Sequence, residues 1–277
     1  MCDGVAIASL SRMNTVEIEH VTRRYGTVTA LDDVSVSIAA GSFVAVMGAT
    51  GSGKSTLLQC AAGLDRPTSG RVRLAGQEIS RMRERRLTRL RRDQVGFVFQ
   101  SYNLLSELTV RQNVLLPVRL GARRRMPVDD ALDAVGLGGL GKRKVGTLSG
   151  GQRQRVALAR ALVTGPAVVF ADEPTGALDP TTGGQVLRLL REACDRDGLT
   201  VVMVTHDPVA AAWSDRLVLL HAGNVVADSA TPDADTIAAR LRAAYAGAGA
   251  GPGVGVLATT RSVTGVRAEK RTGIGAP

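Results

Sequence analysis

The sequence predicts an α/β protein with a mostly parallel sheet, and three observations support this prediction. Short apolar runs of strand length recur along the chain, and segments with helical periodicity lie between them. Several of these runs are apolar throughout, which is typical of strands buried on both faces. The chain has 277 residues, of which 44% are hydrophobic and 22% are charged, so it is able to bury a sizeable core.

The strand and helix candidates follow one another in a regular order. Two segments alternate between apolar and polar side chains, as half-buried strands do: 16–21 and 34–38. Continuous apolar runs predict buried strands at 43–47, 95–99, 167–171, 200–204 and 216–220. Helices are predicted at 54–64, 152–162 and 181–195. Buried strands that alternate with helices predict a parallel sheet covered on both faces.

The composition excludes several classes of protein. No apolar stretch approaches the roughly 18–20 residues of a membrane-spanning helix, and the N-terminus lacks the basic region of a secretory signal. Cys2, Cys60 and Cys194 are widely spaced, which indicates neither a disulfide framework nor a zinc site. We therefore expect a cytoplasmic protein. Residues 1–14 are expected to be flexible, and the Gly/Ala-rich and basic composition of 247–277 predicts a disordered tail.

The net charge of +10 is concentrated in one segment. Residues 81–92 contain seven arginines and one glutamate, and they contain no aromatic residue that would stack on a nucleic-acid base. Leu87 and Leu90 give the run a thin apolar edge, so we predict a solvated helix. Contact with a phosphate backbone or with lipid headgroups stays open as an alternative for this run.

A glycine-rich segment follows the predicted strand 43–47. Residues 48–55 read Gly-Ala-Thr-Gly-Ser-Gly-Lys-Ser and match the P-loop pattern G-x-x-x-x-G-K-[ST]. Backbone N–H groups of such a loop surround phosphate oxygens, and the N-terminus of the next helix adds partial positive charge. Lys54 is expected to reach the β- and γ-phosphates, and Ser55 to bind Mg²⁺. The predicted ATP-binding residues of this segment are Gly48, Ala49, Thr50, Gly51, Ser52, Gly53, Lys54, Ser55 and Thr56.

Two adjacent carboxylates, Asp172 and Glu173, directly follow the apolar run 167–171. Asp172 is predicted to hold Mg²⁺ in a Walker B role, and Glu173 to polarise the attacking water. Phosphoryl transfer depends on positioning and on charge neutralisation more than on covalent chemistry, so a metal ion and one water-orienting carboxylate are sufficient. Together with the P-loop, this pair predicts hydrolysis of a nucleoside triphosphate.

The segment 148–152 reads Leu-Ser-Gly-Gly-Gln, which is the signature of the ATP-binding subunits of ABC transporters. The sequence resembles this family over about residues 15–230, with the motifs in the family's order. The resemblance implies a P-loop NTPase (RecA-like) core with a parallel-rich sheet, an antiparallel β edge subdomain and a helical signature subdomain. It implies a head-to-tail dimer around two Mg-ATP. The residues that would face the opposite ATP are Leu148, Ser149, Gly150, Gly151 and Gln152.

Four single residues match further positions of the family. Gln100 matches the Q-loop glutamine, and His206 matches the switch histidine that contacts the γ-phosphate. Tyr25 matches the A-loop aromatic residue that stacks on adenine, and Asp179 matches the D-loop aspartate that reaches across the dimer. The resemblance thus implies a catalytic set of Gln100, Glu173 and His206 and a metal set of Ser55, Gln100 and Asp172.

Residues 99–117 and 171–179 resemble one branch of the family, which includes lipoprotein-releasing and macrolide-exporting systems. Ala177 stands where that branch commonly has asparagine, a mild departure. The branch implies a second ATP-binding subunit and a separate transmembrane permease as partners, at the inner face of the cell membrane. The alternative is a soluble ABC ATPase that acts on nucleic acid or ribosomes. The chain has a single cassette, and no heptad repeat lies between Lys54 and Leu148, which disfavours this alternative.

The segment after Gln100 is unusually apolar for a connection between elements. Its apolar residues are Tyr102, Leu104, Leu105 and Leu108. We expect part of the segment to line a groove that receives a permease helix. Packing of these side chains in the ordinary core is the alternative.

Overall fold

The structure, a computed structural model, describes residues 14–246. Flexibility is expected for residues 1–14; of these, residues 1–13 lie outside the described part, whereas Asn14 is the first residue of β1. Residues 247–277, for which disorder is expected, also lie outside the described part. The strands are β1 Asn14–Tyr25, β2 Val28–Ala39, β3 Phe43–Gly48, β4 Ser69–Leu74, β5 Gln77–Glu78, β6 Val95–Phe99, β7 Val168–Asp172, β8 Thr200–Val204, β9 Arg216–His221 and β10 Asn224–Ala230. The helices are α1 Lys54–Ala61, α2 Glu84–Gln94, α3 Val110–Val114, α4 Leu116–Arg119, α5 Val128–Ala134, α6 Gly150–Leu162, α7 Pro180–Asp197, α8 Pro208–Ala211 and α9 Ala234–Ala246.

A six-stranded sheet forms the centre of the fold, in the order β10-β9-β3-β8-β7-β6. Every pairing from β9 to β6 is parallel, and β10 joins the edge in antiparallel orientation. Alternate side chains of β3 enter different cores: Phe43 and Met47 pack on one face, whereas Val44 and Val46 pack on the other. Both faces are therefore buried, as the continuous apolar runs predicted, and the α/β fold class is confirmed.

A second, antiparallel sheet has the order β2-β1-β4-β5. The sequence predicted short strands at 16–21 and 34–38, but β1 and β2 are longer, extend to Tyr25 and from Val28, and are joined by a tight turn. Gly26 occupies this turn with φ +58°, a conformation that glycine adopts at low cost. The sheet corresponds to the expected antiparallel edge subdomain.

The basic run forms helix α2, as predicted. Leu87 and Leu90 are its buried side chains and pack beneath the second sheet and α1. Within residues 14–246, no helix combines the length and the apolar character that crossing a membrane requires.

Candidate functional site

The P-loop lies between β3 and α1, and its conformation requires glycine at two positions. A Cβ on Gly48 would lie 2.3 Å from the carbonyl oxygen of Leu220. Gly53, which caps α1, has φ +102°, and a Cβ there would lie 2.4 Å from the carbonyl oxygen of Ala30. The loop therefore packs directly against β9 at Gly48 and against β2 at Gly53, with no room for side chains at these positions.

Lys54, the first residue of α1, folds back over this loop. Its ammonium Nζ donates hydrogen bonds to the carbonyl oxygens of Gly48 and Ala49, both at 2.8 Å. Burial lowers the pKa of Lys54 below its usual value, and the negative charges of Glu173 and Asp172 act in the opposite direction. The ammonium thus lies in the field of both predicted carboxylates.

The carboxyl ends of four parallel strands bring the predicted catalytic residues to one edge of the sheet. Asp172 pairs in register with Phe99 on one side and with Val204 on the other. Gln100 directly follows β6, and His206 follows β8 by one residue. Because the strands are parallel, these side chains lie at the same edge as the P-loop, where ligands of open α/β sheets bind.

Glu173 and His206 are in direct contact. The Nδ1 atom of His206 lies 2.7 Å from Oε1 of Glu173, within hydrogen-bond distance. The backbone of Glu173 has φ +48°, and its N–H donates to the carbonyl of Val204 at 2.9 Å. A positive φ in a residue other than glycine is costly, so the backbone around Glu173 holds this carboxylate in a strained but defined position.

Asp172 is partly buried, and Lys54 is the positively charged group that acts on its pKa. Burial raises its pKa above the usual value, and the negative charge of Glu173 raises it further, while Lys54 acts against both effects. Two adjacent carboxylates that share one ammonium group form a site that favours an added cation.

The amide of Gln100 lies beside the turn that follows Glu173. A Cβ on Gly176 would lie 2.8 Å from Nε2 of Gln100 and 3.5 Å from Cβ of Glu173. Gly176 therefore leaves the space in which Gln100 approaches the catalytic turn. The structure thus brings Lys54, Asp172, Glu173, Gln100 and His206 to one edge of the sheet.

The signature residues form the N-terminus of α6. Ser149 is the N-cap: its hydroxyl accepts a hydrogen bond from the N–H of Gln152, whose side chain accepts one from the N–H of Ser149. A Cβ on Gly151 would lie 2.1 Å from Cγ2 of Thr182, so α6 and α7 meet closely at this point. Leu148 is buried, whereas the side chain of Ser149 is exposed.

Asp179 is the N-cap of the neighbouring helix α7 and accepts a hydrogen bond from the N–H of Thr182 at 3.0 Å. In the part of the chain that the structure describes, the hydrogen bonds of Ser149 and Asp179 stay within their own helix starts. Among the described residues, no hydrogen bond connects Ser149 or Asp179 to Lys54, Asp172, Glu173 or His206.

Tyr25 ends β1 with its ring 43% exposed. Its hydroxyl donates to Oδ2 of Asp65, and Arg23 donates to both oxygens of the same carboxylate at 2.8 Å. The guanidinium of Arg23 lies 4.3 Å from the centre of the Tyr25 ring. Burial raises the pKa of Asp65, but hydrogen bonds from Tyr25, from the N–H of Arg66 and from Arg23 outweigh it and hold the pKa below its usual value.

Sequence reasoning missed Arg23 and Asp65. Arg23 contacts one face of the tyrosine ring, and Asp65 binds its hydroxyl. No local pattern indicates this group, because Asp65 is 40 residues from Tyr25 in sequence.

A P-loop after the central strand, with two carboxylates and a histidine at the adjacent strand ends, defines a nucleoside triphosphatase of the P-loop class. Residues 31–176 match the family described as ABC transporter. The chain belongs to this family, as an ATP-binding and ATP-hydrolysing domain.

The relatives include proteins named macrolide export ATP-binding/permease protein MacB. That of Paracoccus denitrificans is 46% identical over 233 residues, which is 79% of this chain and 34% of the relative. That of Photorhabdus laumondii is 43% identical over 224 residues, which is 78% of this chain and 34% of the relative. The chain therefore spans about a third of the length of these relatives.

Solved structures of ATP-binding cassettes have the same fold. The dimer of MJ0796 in a post-hydrolysis state, bound to ADP and Pi, has a TM-score of 0.71 at 38% identity and covers 78% of this chain and 99% of the other. The cbiO1 protein of Clostridium perfringens, part of the cbiONQ transporter complex, has a TM-score of 0.73 at 29% identity and covers 84% of this chain and 94% of its own.

Proposed function

We propose that residues 15–246 form an ATP-hydrolysing domain that dimerises around two Mg-ATP and drives a membrane permease in an export or extrusion system. The permease would place the domain at the inner face of the cell membrane. The observation that carries the proposal is that the predicted ATP-contacting residues form two separate groups on the chain. Lys54, Asp172, Glu173 and His206 converge at one sheet edge, whereas Ser149 presents a helix N-terminus elsewhere on the same chain.

In this proposal the P-loop holds the phosphates of ATP. Lys54 exchanges its two carbonyl partners in the loop for the β- and γ-phosphate oxygens, and the first N–H groups of α1 point at the same anion. The buried hydroxyl of Ser52 lies next to Gly48 and has no hydrogen-bond partner among the described residues. An orphaned polar atom under the loop is consistent with a polar ligand there.

Mg²⁺ fits the oxygen atoms available beside this loop. Ser55, Gln100 and Asp172 offer a hydroxyl, an amide and a carboxylate oxygen, the hard ligands that Mg²⁺ prefers together with substrate phosphates. A bound Mg²⁺ would neutralise phosphate charge during the reaction. The carboxylate of Asp172, whose pKa is raised by burial and by Glu173, gains a counter-charge in this arrangement.

Glu173 is placed to orient the attacking water, and His206 is placed to hold Glu173. The hydrogen bond between Nδ1 and Oε1 restricts the carboxylate and leaves the second ring nitrogen of His206 as the group that would contact the γ-phosphate. The fully formed site would contain Ser149 and Gly151 of a second subunit, because these residues do not reach the P-loop of their own chain. The dimeric state named for MJ0796 supports this arrangement.

An apolar groove of about 620 Å³ is suited to receive a segment of the permease. It lies between α2, β6 and α4, and Leu64, Phe97, Pro117 and Leu120 contribute to its walls. Of the expected segment, Leu104 packs against the core, and Leu105 is 50% exposed and does not line this groove. Helix-in-groove docking uses apolar surfaces of this kind.

Leu120→Asp is expected to prevent the permease from co-purifying, because it removes an apolar side chain from the groove wall and puts a hydrated carboxylate where the permease segment would pack. Leu120 is 68% exposed, so the isolated domain should fold and retain its basal ATPase activity. The measurement is recovery of the permease from solubilised membranes, together with phosphate release. Val226→Asp, at an exposed strand position of β10, is the matched control. Equal recovery of the permease with both variants would exclude the groove as the docking site.

Asp65→Ala is expected to weaken binding of ATP but not of inorganic tripolyphosphate. The change removes the carboxylate that fixes both Tyr25 and Arg23, so the ring loses its orientation for stacking on adenine. Stacking on an aromatic side chain contributes about 1–3 kcal/mol per base, so the loss of ATP affinity should be about 5- to 150-fold. Calorimetric titration with both ligands measures it. An equal loss for tripolyphosphate would instead indicate damage to the P-loop.

Identification of the permease tests the proposal as a whole. The protein is purified from membranes of its source cells, and a polytopic membrane protein is expected to accompany it and to stimulate ATP hydrolysis. Action on nucleic acid or ribosomes remains the competing function. Salt-sensitive retention of RNA or DNA, with no membrane partner, would favour that function.

A further inference from the structure

Helix α2 presents a row of arginines that have no acidic partner. The two acids of the helix are already engaged: Glu84 pairs with Arg91 at 2.7 Å and with Arg66 at 3.8 Å, and Asp93 lies 3.6 Å from Arg92. The basic segment 81–92 contains five further arginines, two of which precede the helix, and within residues 14–246 none of the five takes part in an ion pair. These exposed arginines are Arg81, Arg83, Arg85, Arg86 and Arg89.

The helix is held firmly, so its outer charges have a fixed direction. Leu87 and Leu90 are 1% and 5% exposed and attach the inner side of α2 to the core. Arg85 and Arg89 are exposed and four residues apart, which places them on one face of the helix. We call this pair the arginine face. Unbalanced charges of one sign on a single face attract an anionic partner.

The arginine face borders the apolar groove. Thr88, Arg91 and Arg92 line the groove, and Arg85 and Arg89 lie on the adjoining side of the same helix. If a permease segment binds in this groove, the bilayer from which the permease emerges would lie on the same side of the domain. The arginine face would then point towards the cytoplasmic leaflet, which carries the anionic lipids.

We propose that the arginine face binds the anionic headgroups of the membrane beside the permease. This inference rests on the proposed function for its orientation, because the groove determines which side of the domain faces the bilayer. Guanidinium groups bind phosphate oxygens in a planar, bidentate manner, which suits phospholipid headgroups. The face has no aromatic side chain on which a base would stack, so a single-stranded nucleic acid fits it less well.

Vesicle binding by the full chain tests this proposal. Nucleotide-free protein is sedimented with phosphatidylcholine vesicles that contain, or lack, phosphatidylglycerol. Binding is expected to require phosphatidylglycerol and to weaken by about tenfold or more in the double variant Arg85→Gln with Arg89→Gln. Each basic residue near an anionic surface contributes roughly fivefold to binding.

A control pair removes the same charge elsewhere. Arg188 on α7 and Arg242 on α9 are exposed and take part in no ion pair among residues 14–246. Arg188→Gln with Arg242→Gln is expected to leave vesicle binding within about twofold of the unchanged chain, since neither residue adjoins the arginine face. Equal losses in the two double variants would mean that net charge alone is sensed, and would overturn the proposal.

Two further outcomes would also overturn it. One is failure of the unchanged chain to bind phosphatidylglycerol vesicles. The other is that duplex DNA displaces the chain from these vesicles and that the double variant of Arg85 and Arg89 no longer binds the DNA. This result would assign the arginine face to nucleic acid. ATP hydrolysis is measured without vesicles and is expected to be equal in all variants. Absence of hydrolysis in the unchanged chain would refute the proposed function without affecting the lipid result.

Discussion

Glu173→Gln is expected to slow ATP hydrolysis by about 10²–10⁴-fold, the usual effect of removing one acid–base or water-orienting group. Glutamine keeps the shape of glutamate but removes the negative charge that polarises water. The P-loop and Lys54 are unchanged, so ATP should still bind. Single-turnover measurement of phosphate release separates the chemical step from binding. Glu78→Gln, at an exposed position of β5, should hydrolyse ATP at the normal rate.

The same variant should accumulate as a dimer, because unhydrolysed ATP keeps its γ-phosphate between the two subunits. Size-exclusion chromatography is expected to show this dimer with ATP but not with ADP. Adding Ser149→Arg should abolish it, since Ser149 is exposed at the start of α6 and a large side chain there would block the phosphate. Near-normal hydrolysis by Glu173→Gln would remove Glu173 from the catalytic role.

Lys54→Ala is expected to weaken ATP binding and to reduce hydrolysis together with it. The ammonium is the positive charge that lies over the P-loop, and its removal leaves Asp172 and Glu173 uncompensated beside the incoming phosphates. Charge-assisted contacts of this kind are about twice as strong as neutral hydrogen bonds, so the loss of affinity should be at least tenfold. Calorimetric titration with ATP measures it.

Lys142→Ala removes the same charge from an exposed loop and is the control for Lys54→Ala. It should bind and hydrolyse ATP normally. Wild-type hydrolysis by Lys54→Ala would contradict the assignment of the P-loop. Intact ATP binding with lost hydrolysis would instead restrict Lys54 to the chemical step.

The central strands were predictable within one or two residues because burial on both faces leaves a continuous apolar run. β8 is an example, with all five residues buried. The edge strand β10 was missed, since its residues alternate between partly buried and exposed positions and include few large apolar side chains. Strand β4 was also missed, because its alternation covers four residues only, Arg71 to Leu74, and the preceding Ser69 and Gly70 are typical of a turn.

The residues of the site also differ in how far they could be predicted: some follow from a local sequence pattern, and others depend on contacts between segments that are distant in sequence. The P-loop could be predicted from its glycines because the conformation of the loop requires them at fixed positions. The close contacts of Gly48 and Gly53 are examples. The partnership of Tyr25 with Arg23 and Asp65 depends on the pairing of separate elements. Neither composition nor spacing contains that information, so the structure was needed to find it.

The reciprocal cap of Ser149 and Gln152 has a consequence for how quickly two subunits join. The hydroxyl oxygen of Ser149 accepts the N–H of Gln152, which leaves its own proton free to donate to a phosphate, and the N–H groups of Gly150 and Gly151 start the helix without an intrahelical partner. In the proposed dimer, no hydrogen bond of this helix start has to break before the opposite ATP arrives. Encounter therefore carries no activation barrier from local unfolding here, and association should fall in the ordinary range of about 10⁵–10⁷ M⁻¹s⁻¹ for prearranged protein surfaces.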